Sequence, residues 1–500
     1  MSTVLKSSLL NLAATGVSLV AGFGVSFIVA RLLGPEGSGL SAFAIWLATS
    51  LSALSDHGMP QTMLRSLSGF GDDEDGWKAL ARTAFSRFAR AVALSASAVL
   101  AYAVWVATTQ GLDKAAYWVS ATLLFVLYAL YAFTTAAARG RGRFAEASMA
   151  TATGSLLQIP LLVAGAMLFG IAGAVAAIAM RYLPQVLKLP NYLSRTHKPD
   201  PALLTPDIRR YARHIWLSDI IDVVIMTRVE LVLLGIMLTP ADMGYFAVAG
   251  VFASLVGQFA IQLSSPLIVG FAAPDQSPQA RDALYRKAVR IMALVVFPVG
   301  FGGAAIAPQL VPLVFGADFA PASLAAFLLL VAAGFSGVVV VPWAYLAATG
   351  KSGNLLRIMI VVSAATLVLF VASILIGGVE GAAVTRVLVE LLSLNMLFLA
   401  IVRSGGPSAP YRALVKTVLA AASCGLAAWL VMKGLGGWSG ILAGVAAGAL
   451  IYLVALRLLR LVPQSDTAPL LESGAMARLP SGPRKVLTAL LKAIAVSAGN

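Results

Sequence analysis

Apolar runs about twenty residues long follow one another along most of the chain, parted by short charged or Gly/Pro-rich breaks. Crossing a hydrocarbon core takes about 20 helical residues at 1.5 Å rise each. In lipid, every backbone N–H and C=O has to be satisfied inside the segment or a closed barrel. A chain patterned this way folds as a set of spanning helices. Composition closes off the alternatives, because 59% of the 500 residues are hydrophobic and 11% charged, which leaves little sequence for soluble domains. The single cysteine, Cys424, rules out an intrachain disulfide. Residues 1–30 carry only Lys6 before a long apolar run without a clear small-residue cleavage site, so they read as an uncleaved first span rather than a signal peptide.

Breaking the apolar runs at charges and Gly/Pro clusters gives fourteen spans: 9–33, 40–64, 86–109, 116–138, 148–169, 171–193, 212–238, 244–271, 289–315, 321–347, 356–377, 380–402, 412–433 and 439–461. Charge tests that count. With fourteen spans, one set of alternate connections collects thirty of the 36 basic residues, among them Arg65, Lys78, Arg82, Arg139, Arg141, Lys198, Arg209, Arg286 and Arg457. The opposite side receives Arg31, Lys114 and Lys433, while Arg181, Arg228 and Arg386 fall inside spans. A wrong count would scramble this alternation, so the basic side is read as cytoplasmic, with both termini on it. The net charge of +15 is then topology, and it calls for no nucleic-acid partner. Residues 71–90 read as an acidic helix start followed by an amphipathic turn with Trp77, Leu80, Ala81, Ala84, Phe85 and Phe88 on one side. Asp72–Asp75 there serve as a helix cap or, alternatively, as a metal or nucleotide-sugar site. The tail after 462 is polar and ends in RKVLTALLKAIAV, read as a short interfacial helix.

The turn sequences repeat. LLGPEGSG at 32–39 recurs as MLTPADMG at 237–244, pairing Pro35 with Pro240 and Gly39 with Gly244 at an offset of 205. Arg139-Gly140-Arg141 stands opposite Thr349-Gly350-Lys351 at 210, and Gly170–Ala174 opposite Gly378–Ala382 at 208. Six spans per repeat is an even number, so both halves share one orientation. The expected architecture is an all-α polytopic membrane protein of about 14 transmembrane helices, in two pseudo-symmetric six-helix lobes plus two C-terminal helices. The divisions are 1–195, 196–405, 406–462 and a cytoplasmic tail at 463–500.

FIVARLLGPEGSGLSAFAIWLATSLSALSDHGMPQTMLR at 27–65 and RVELVLLGIMLTPADMGYFAVA at 228–249 resemble the bacterial polysaccharide-export flippases. These belong to the multidrug/oligosaccharidyl-lipid/polysaccharide exporter superfamily, and the similarity spans 5–405. The resemblance implies two lobes around a central cavity in the bacterial cytoplasmic membrane. It implies transfer of an undecaprenyl-pyrophosphate-linked oligosaccharide from the inner to the outer leaflet by alternating access, for surface polysaccharide synthesis. It further implies a transporter rather than an enzyme, needing no cofactor or metal. Its partners would be the lipid-linked substrate, membrane lipids and polysaccharide polymerase machinery. The alternatives are a lipid II flippase, a multidrug or cation antiporter, or a membrane glycosyltransferase or polymerase, the last motivated only by Asp72–Asp75. Glu230 departs from the family, where Asp is commoner.

Ionisable residues inside spans mark pathways or pairing sites. Asp219, Asp222 and Glu230 share one face of the seventh span with Arg228 roughly opposite, and they either pair structurally or line a cavity and carry protons. Arg181 and Arg386 lie in the last span of each half at an offset of 205. A guanidinium at each position suits a clamp on a pyrophosphate, although Glu390 can pair with Arg386 along its own helix. Arg181 has no local acid. The Asp56-His57-Gly58 stretch reads as a titratable break in the second span or as ordinary structure. Arg31 and Arg65 snorkel at span ends, or Arg31 reaches the cavity. The substrate set is therefore Arg181, Arg386, Arg228 and Arg31, and the coupling set Asp219, Asp222, Glu230, Glu390 and Asp56. Pro160, Pro184, Pro266, Pro298, Pro308, Pro312 and Pro342 are expected to kink their spans.

Overall fold

The structure, a computed structural model, describes residues 3–220, 229–262, 264–272 and 277–463, together with Arg484 and Thr488. These residues form helices α1 (Thr3–Ser55), α2 (Met59–Ser66), α3 (Glu74–Gln110), α4 (Leu112–Gly140), α5 (Phe144–Met180), α6 (Leu183–Val186), α7 (Pro206–Ile220) and α8 (Val229–Met237). They continue as α9 (Pro240–Gln262), α10 (Ser264–Ala272), α11 (Pro278–Phe315), α12 (Ser323–Ala348), α13 (Ser352–Arg403), α14 (Tyr411–Leu435) and α15 (Gly437–Leu458). Among the described residues there are no strands. The expected tail helix lies outside the described residues except for Arg484 and Thr488.

Ten of the helical stretches are long and apolar enough to cross a membrane. Three of these leave helical geometry at an internal glycine, Gly34 in α1, Gly170 in α5 and Gly378 in α13, so each splits in two and thirteen segments result. The remaining expected span, the seventh at 212–238, falls partly on 221–228, outside the described residues. The expectation of fourteen is compatible with this arrangement.

The glycine breaks make the repeat physical. Phe169-Gly170 adopts φ/ψ of −131/15 and 56/−138, and Gly377-Gly378 adopts −135/16 and 54/−131. The second residue of each pair occupies a region that only glycine visits cheaply. The turns then pack alike. A Cβ on Gly173 would overlap the Gly165 carbonyl oxygen, and a Cβ on Gly381 the Ser373 carbonyl oxygen, at the same offset of 208. The end of α4 corrects the sequence register. Gly142 and Gly350 both have φ 72, and Arg143 N–H donates to Ala138 O as Lys351 N–H donates to Leu346 O. Arg141-Gly142-Arg143 is thus the true counterpart of Thr349-Gly350-Lys351, at 208 rather than 210. An Arg-Gly-Arg-Gly-Arg string offers two readings by eye, and the closing hydrogen bonds select one.

The sixth expected span, 171–193, is not one helix. Its helix stops at Met180, because Pro184 has no N–H to give the Met180 carbonyl; short turns and a second proline, Pro190, follow. The matching segment of α13 runs unbroken to Arg403.

The chain divides into two compact units, Met1–Val248 and Ala249–Asn500. The first extends past the expected repeat boundary at 195 because α7 and α8 pack on α1 and α2. Its core is aromatic, with Phe88 stacked on Phe133 at 5.1 Å and Phe85 edge-on to Phe133 at 5.4 Å. Within this unit the two matched turns face each other reciprocally. A Cβ on Gly39 would overlap the Pro240 carbonyl oxygen, and a Cβ on Gly244 the Pro35 carbonyl oxygen. The second unit packs Phe297 between Phe301 and Phe335, at 6.0 and 5.2 Å. There α14 and α15 lie against α11, where Gly425 nears the Phe301 carbonyl and Tyr452 Oη donates to Leu294 O at 2.7 Å. Small residues allow this close approach, as membrane helix packing requires. Cys424 is buried among them.

Candidate functional site

The residues with chemistry to offer in the first unit gather where α5 ends. Arg181 caps α5, with Gly154 close under its carbonyl. A cation here complements the negative end of the helix. Its Nη2 donates to Ser155 Oγ at 3.4 Å, and that hydroxyl lies 3.3 Å from Ser18 Oγ on α1. The guanidinium sits 5.4 Å from the Tyr182 ring. Tyr182 in turn packs on Tyr128 and Tyr131 of α4, with centroids at 5.3 and 5.0 Å, and Tyr131 Oη is 3.2 Å from Thr151 Oγ1.

Two buried amides lie on the same elements, Gln158 on α5 and Gln185 on α6. Gln158 and Gln185 are each 1% exposed; Gln158 Oε1 and both amide atoms of Gln185 make no hydrogen bond among the described residues. Leaving such groups unmet costs about 1–3 kcal/mol apiece, so they need an explanation. Thr151, Ser155 and Gln158 stand at i, i+4 and i+7, a polar stripe along one side of the helix. That stripe is legible in the sequence and marks the site as clearly as the arginine does. Tyr128 and Tyr131, at i and i+3, belong to the same missed signal.

Asp56 is buried at the end of α1, and its Oδ1 accepts the Gly58 N–H at 2.7 Å. Both Asp56 and Arg181 lie within electrostatic reach of Tyr128, and Asp219 of α7 lies within reach of Asp56. His57 takes a left-handed φ of 51, and its ring stacks on Trp216 of α7 at 4.9 Å and 3°. The Trp216 indole N–H donates to the carbonyls of Ala53 and Leu54 at 3.0 and 3.2 Å, closing the open end of α1. Arg65 stacks on Tyr211, 4.4 Å from its ring. Asp56-His57-Gly58 is therefore a true helix break, filled by α7.

The other expected residues are scattered. Arg31 is exposed on α1, over Phe27 at 5.7 Å. Glu230 is buried on α8. Asp222 and Arg228 lie outside the described residues. In the second unit Arg386 and Glu390 form an ion pair at 3.3 Å, the i, i+4 pairing their spacing allows. The same unit holds an apolar cavity of about 410 Å³ between α9, α11 and α12, lined by residues such as Phe252, Phe259, Val299 and Leu330.

The acidic start of α3 is a cap. Asp73 accepts the Gly76 N–H at 2.9 Å, and Glu74 pairs with Lys78 one turn on. The hydrogen bond from Lys78 holds the Glu74 carboxyl below its ordinary range. No group of three metal-ligating side chains converges among the described residues. Asp73 and Glu74 thus take the capping role, one of the two readings of Asp72–Asp75.

A family described as polysaccharide biosynthesis protein matches residues 28–324. No curated protein sequence matches the chain. Among solved structures, the lipid II flippase MurJ in an inward closed conformation superposes with a TM-score of 0.70 at 14% identity, covering 90% of this chain and 98% of its own. An inward-facing multidrug resistance MATE family transporter of the MOP superfamily gives 0.56 at 17% identity, covering 78% and 96%. A MOP superfamily transporter from Pyrococcus furiosus gives 0.51 at 14% identity, covering 80% and 94%. At these identities the likeness is one of fold.

Proposed function

We propose that this chain, which belongs to the polysaccharide biosynthesis protein family, carries a polyprenyl-pyrophosphate-linked oligosaccharide from the inner to the outer leaflet of a bacterial cytoplasmic membrane. Arg181 is the observation that supports this most directly. A planar guanidinium forks onto phosphate oxygens better than an ammonium, and here it lies by the Tyr182 ring, itself packed on Tyr128 and Tyr131, and donates to the Ser155 hydroxyl. Aromatic faces and hydroxyls suit a sugar, and the unmet amides of Gln158 and Gln185 are further donors and acceptors for its hydroxyl groups. Arg386 and Arg31 are assigned secondary contacts with the substrate. The two-lobe division at 195/196, cytoplasmic termini and association with a polysaccharide polymerase belong to the same reading. No bond is made or broken, so catalysis is not required.

The test is transport by the purified full chain in vesicles, with a labelled polyprenyl-pyrophosphate oligosaccharide supplied on one leaflet. Outer-leaflet label should rise above protein-free vesicles, fall at least tenfold with Arg181→Ala, and recover in part with Arg181→Lys. Movement no faster than in empty vesicles defeats the proposal. Offering lipid II in parallel separates the peptidoglycan alternative.

A second reading concerns coupling. The electrostatic reach between buried Asp56 and half-buried Asp219 supports proton exchange through this pair. Glu230 and Glu390 would assist. Transport that keeps its full dependence on the proton gradient in Asp56→Asn and Asp219→Asn counts against that assignment.

A further inference from the structure

The second unit contains a cavity that the transport reading does not use. About 370 Å³ in volume, it is lined by Ala283, Arg286, Lys287 and Arg290 from the first turns of α11 and by Pro410 and Ala413 where α14 starts. Arg286 and Arg290 stand at i and i+4 with Lys287 between them, so three cations from one helix line the same cavity. The described segments that line the cavity are mostly basic. Residues 278–290 hold four cations against one acid, Asp282, whose Oδ1 takes the Tyr345 hydroxyl at 3.2 Å; residues 405–416 hold Arg412 and Lys416 and no acid. The N-terminus of α14 has no side-chain cap and turns its partial positive charge toward the same space.

What lies beyond the cavity distinguishes a lipid from a free anion. Along α11 the exposed residues past Lys287 are Ile291, Val295 and Val299, each one turn from the last, and along α14 they are Val415 and Leu419. Two apolar stripes therefore lead away from one basic pocket, on the side that the proposed function takes as cytoplasmic. Basic pockets between spanning helices on that side recognise anionic headgroups.

We propose that this cavity is a binding site for an anionic phospholipid, with its phosphate among Arg286, Lys287 and Arg290 and its acyl chains along the stripes of α11 and α14. The site is separate from Arg181 and independent of the transported substrate.

The test titrates phosphatidylglycerol, phosphatidylcholine or inorganic phosphate onto the full chain in a neutral detergent, reading bound lipid by native mass spectrometry. Wild type should retain phosphatidylglycerol in preference to phosphatidylcholine. The triple variant Arg286→Gln/Lys287→Gln/Arg290→Gln should bind it on the order of 100-fold more weakly, at roughly fivefold per cation. Removing equal charge elsewhere, with Arg209→Gln/Arg210→Gln/Arg213→Gln, should leave binding unchanged. Ala413→Trp fills the cavity while keeping every cation, and should weaken binding if the charge variant misfolds. Wild-type affinity in both cavity variants overturns the proposal, as does an equal loss in the distant control. Inorganic phosphate binding as tightly as the lipid overturns the assignment to a phospholipid.

Discussion

The reciprocal contact between the turns at Gly39 and Gly244 makes a quantitative prediction. Each glycine faces the carbonyl of the proline that begins the other turn, and each occupies the matched position of the repeat. A Cβ at either site falls inside the oxygen's van der Waals sphere. With ordinary contact near 3.5 Å, the turns have to part by about 1–2 Å. Overpacking of this kind costs about 1–3 kcal/mol. Parting the turns for one methyl also makes room for the other, so the cost is shared. Gly39→Ala and Gly244→Ala should each lower the melting temperature in detergent, by about 2–4 °C per kcal/mol for a unit of this size. The double variant should melt close to the worse single one, a coupling of about 1–3 kcal/mol. Additivity to within about 0.5 kcal/mol, or single variants that melt as wild type, would refute the reciprocal geometry.

Three further outcomes follow from the structure. Gly378→Ala puts a side chain at φ 54, ψ −131 and should cost about 1–3 kcal/mol, whereas Gly377→Ala, at φ −135 with open space around it, should be nearly silent in the same melt. Trp216→Phe keeps a ring over His57 but leaves the Ala53 and Leu54 carbonyls without their donor; it should lose about 1 kcal/mol and speed proteolysis before α7, and unchanged cleavage would argue against that clasp. Arg386→Gln and Glu390→Gln should be less damaging together than their separate losses sum to, with coupling of about 1–3 kcal/mol in a double-mutant cycle; no coupling means the pair contributes nothing.

Span positions and the repeat were readable because they rest on local properties: twenty-residue apolar length, the side on which Lys and Arg collect, and turns that demand glycine. The 71–90 helix was readable for the same reason, since one amphipathic face names its own buried residues, with Trp77, Leu80 and Phe88 in the core. What escaped depends on partners distant in sequence. Trp216 closes the end of α1 more than 160 residues away, and nothing in its own segment says so. Arg181 was visible as an intramembrane cation, yet its surroundings come from α1, α4 and α5 at once. The stop at Met180 was hidden because Pro184 also reads as a mere kink. The basic cavity between α11 and α14 was dissolved into the positive-inside count, which records sidedness and discards proximity.

The paired breaks at Gly170 and Gly378 bear on how the two halves could diverge. Backbone geometry at those positions penalises any side chain by about 1–3 kcal/mol, so mutation has little room there whatever the halves come to carry. The helix faces between them obey only apolarity and volume, and substitutions can accumulate on them freely. A duplicated ancestor under those rules would keep its hinges alike while its interiors drifted apart. The chain has that form: near-identical dihedrals at the two breaks, while Arg181 in one copy and the ion-paired Arg386 in the other stand three residues out of register when the glycine turns are matched at 208. Aligning the halves on their glycine turns, rather than on their longer apolar runs, therefore gives the dependable way to ask which residue of one half inherited the place of which residue in the other.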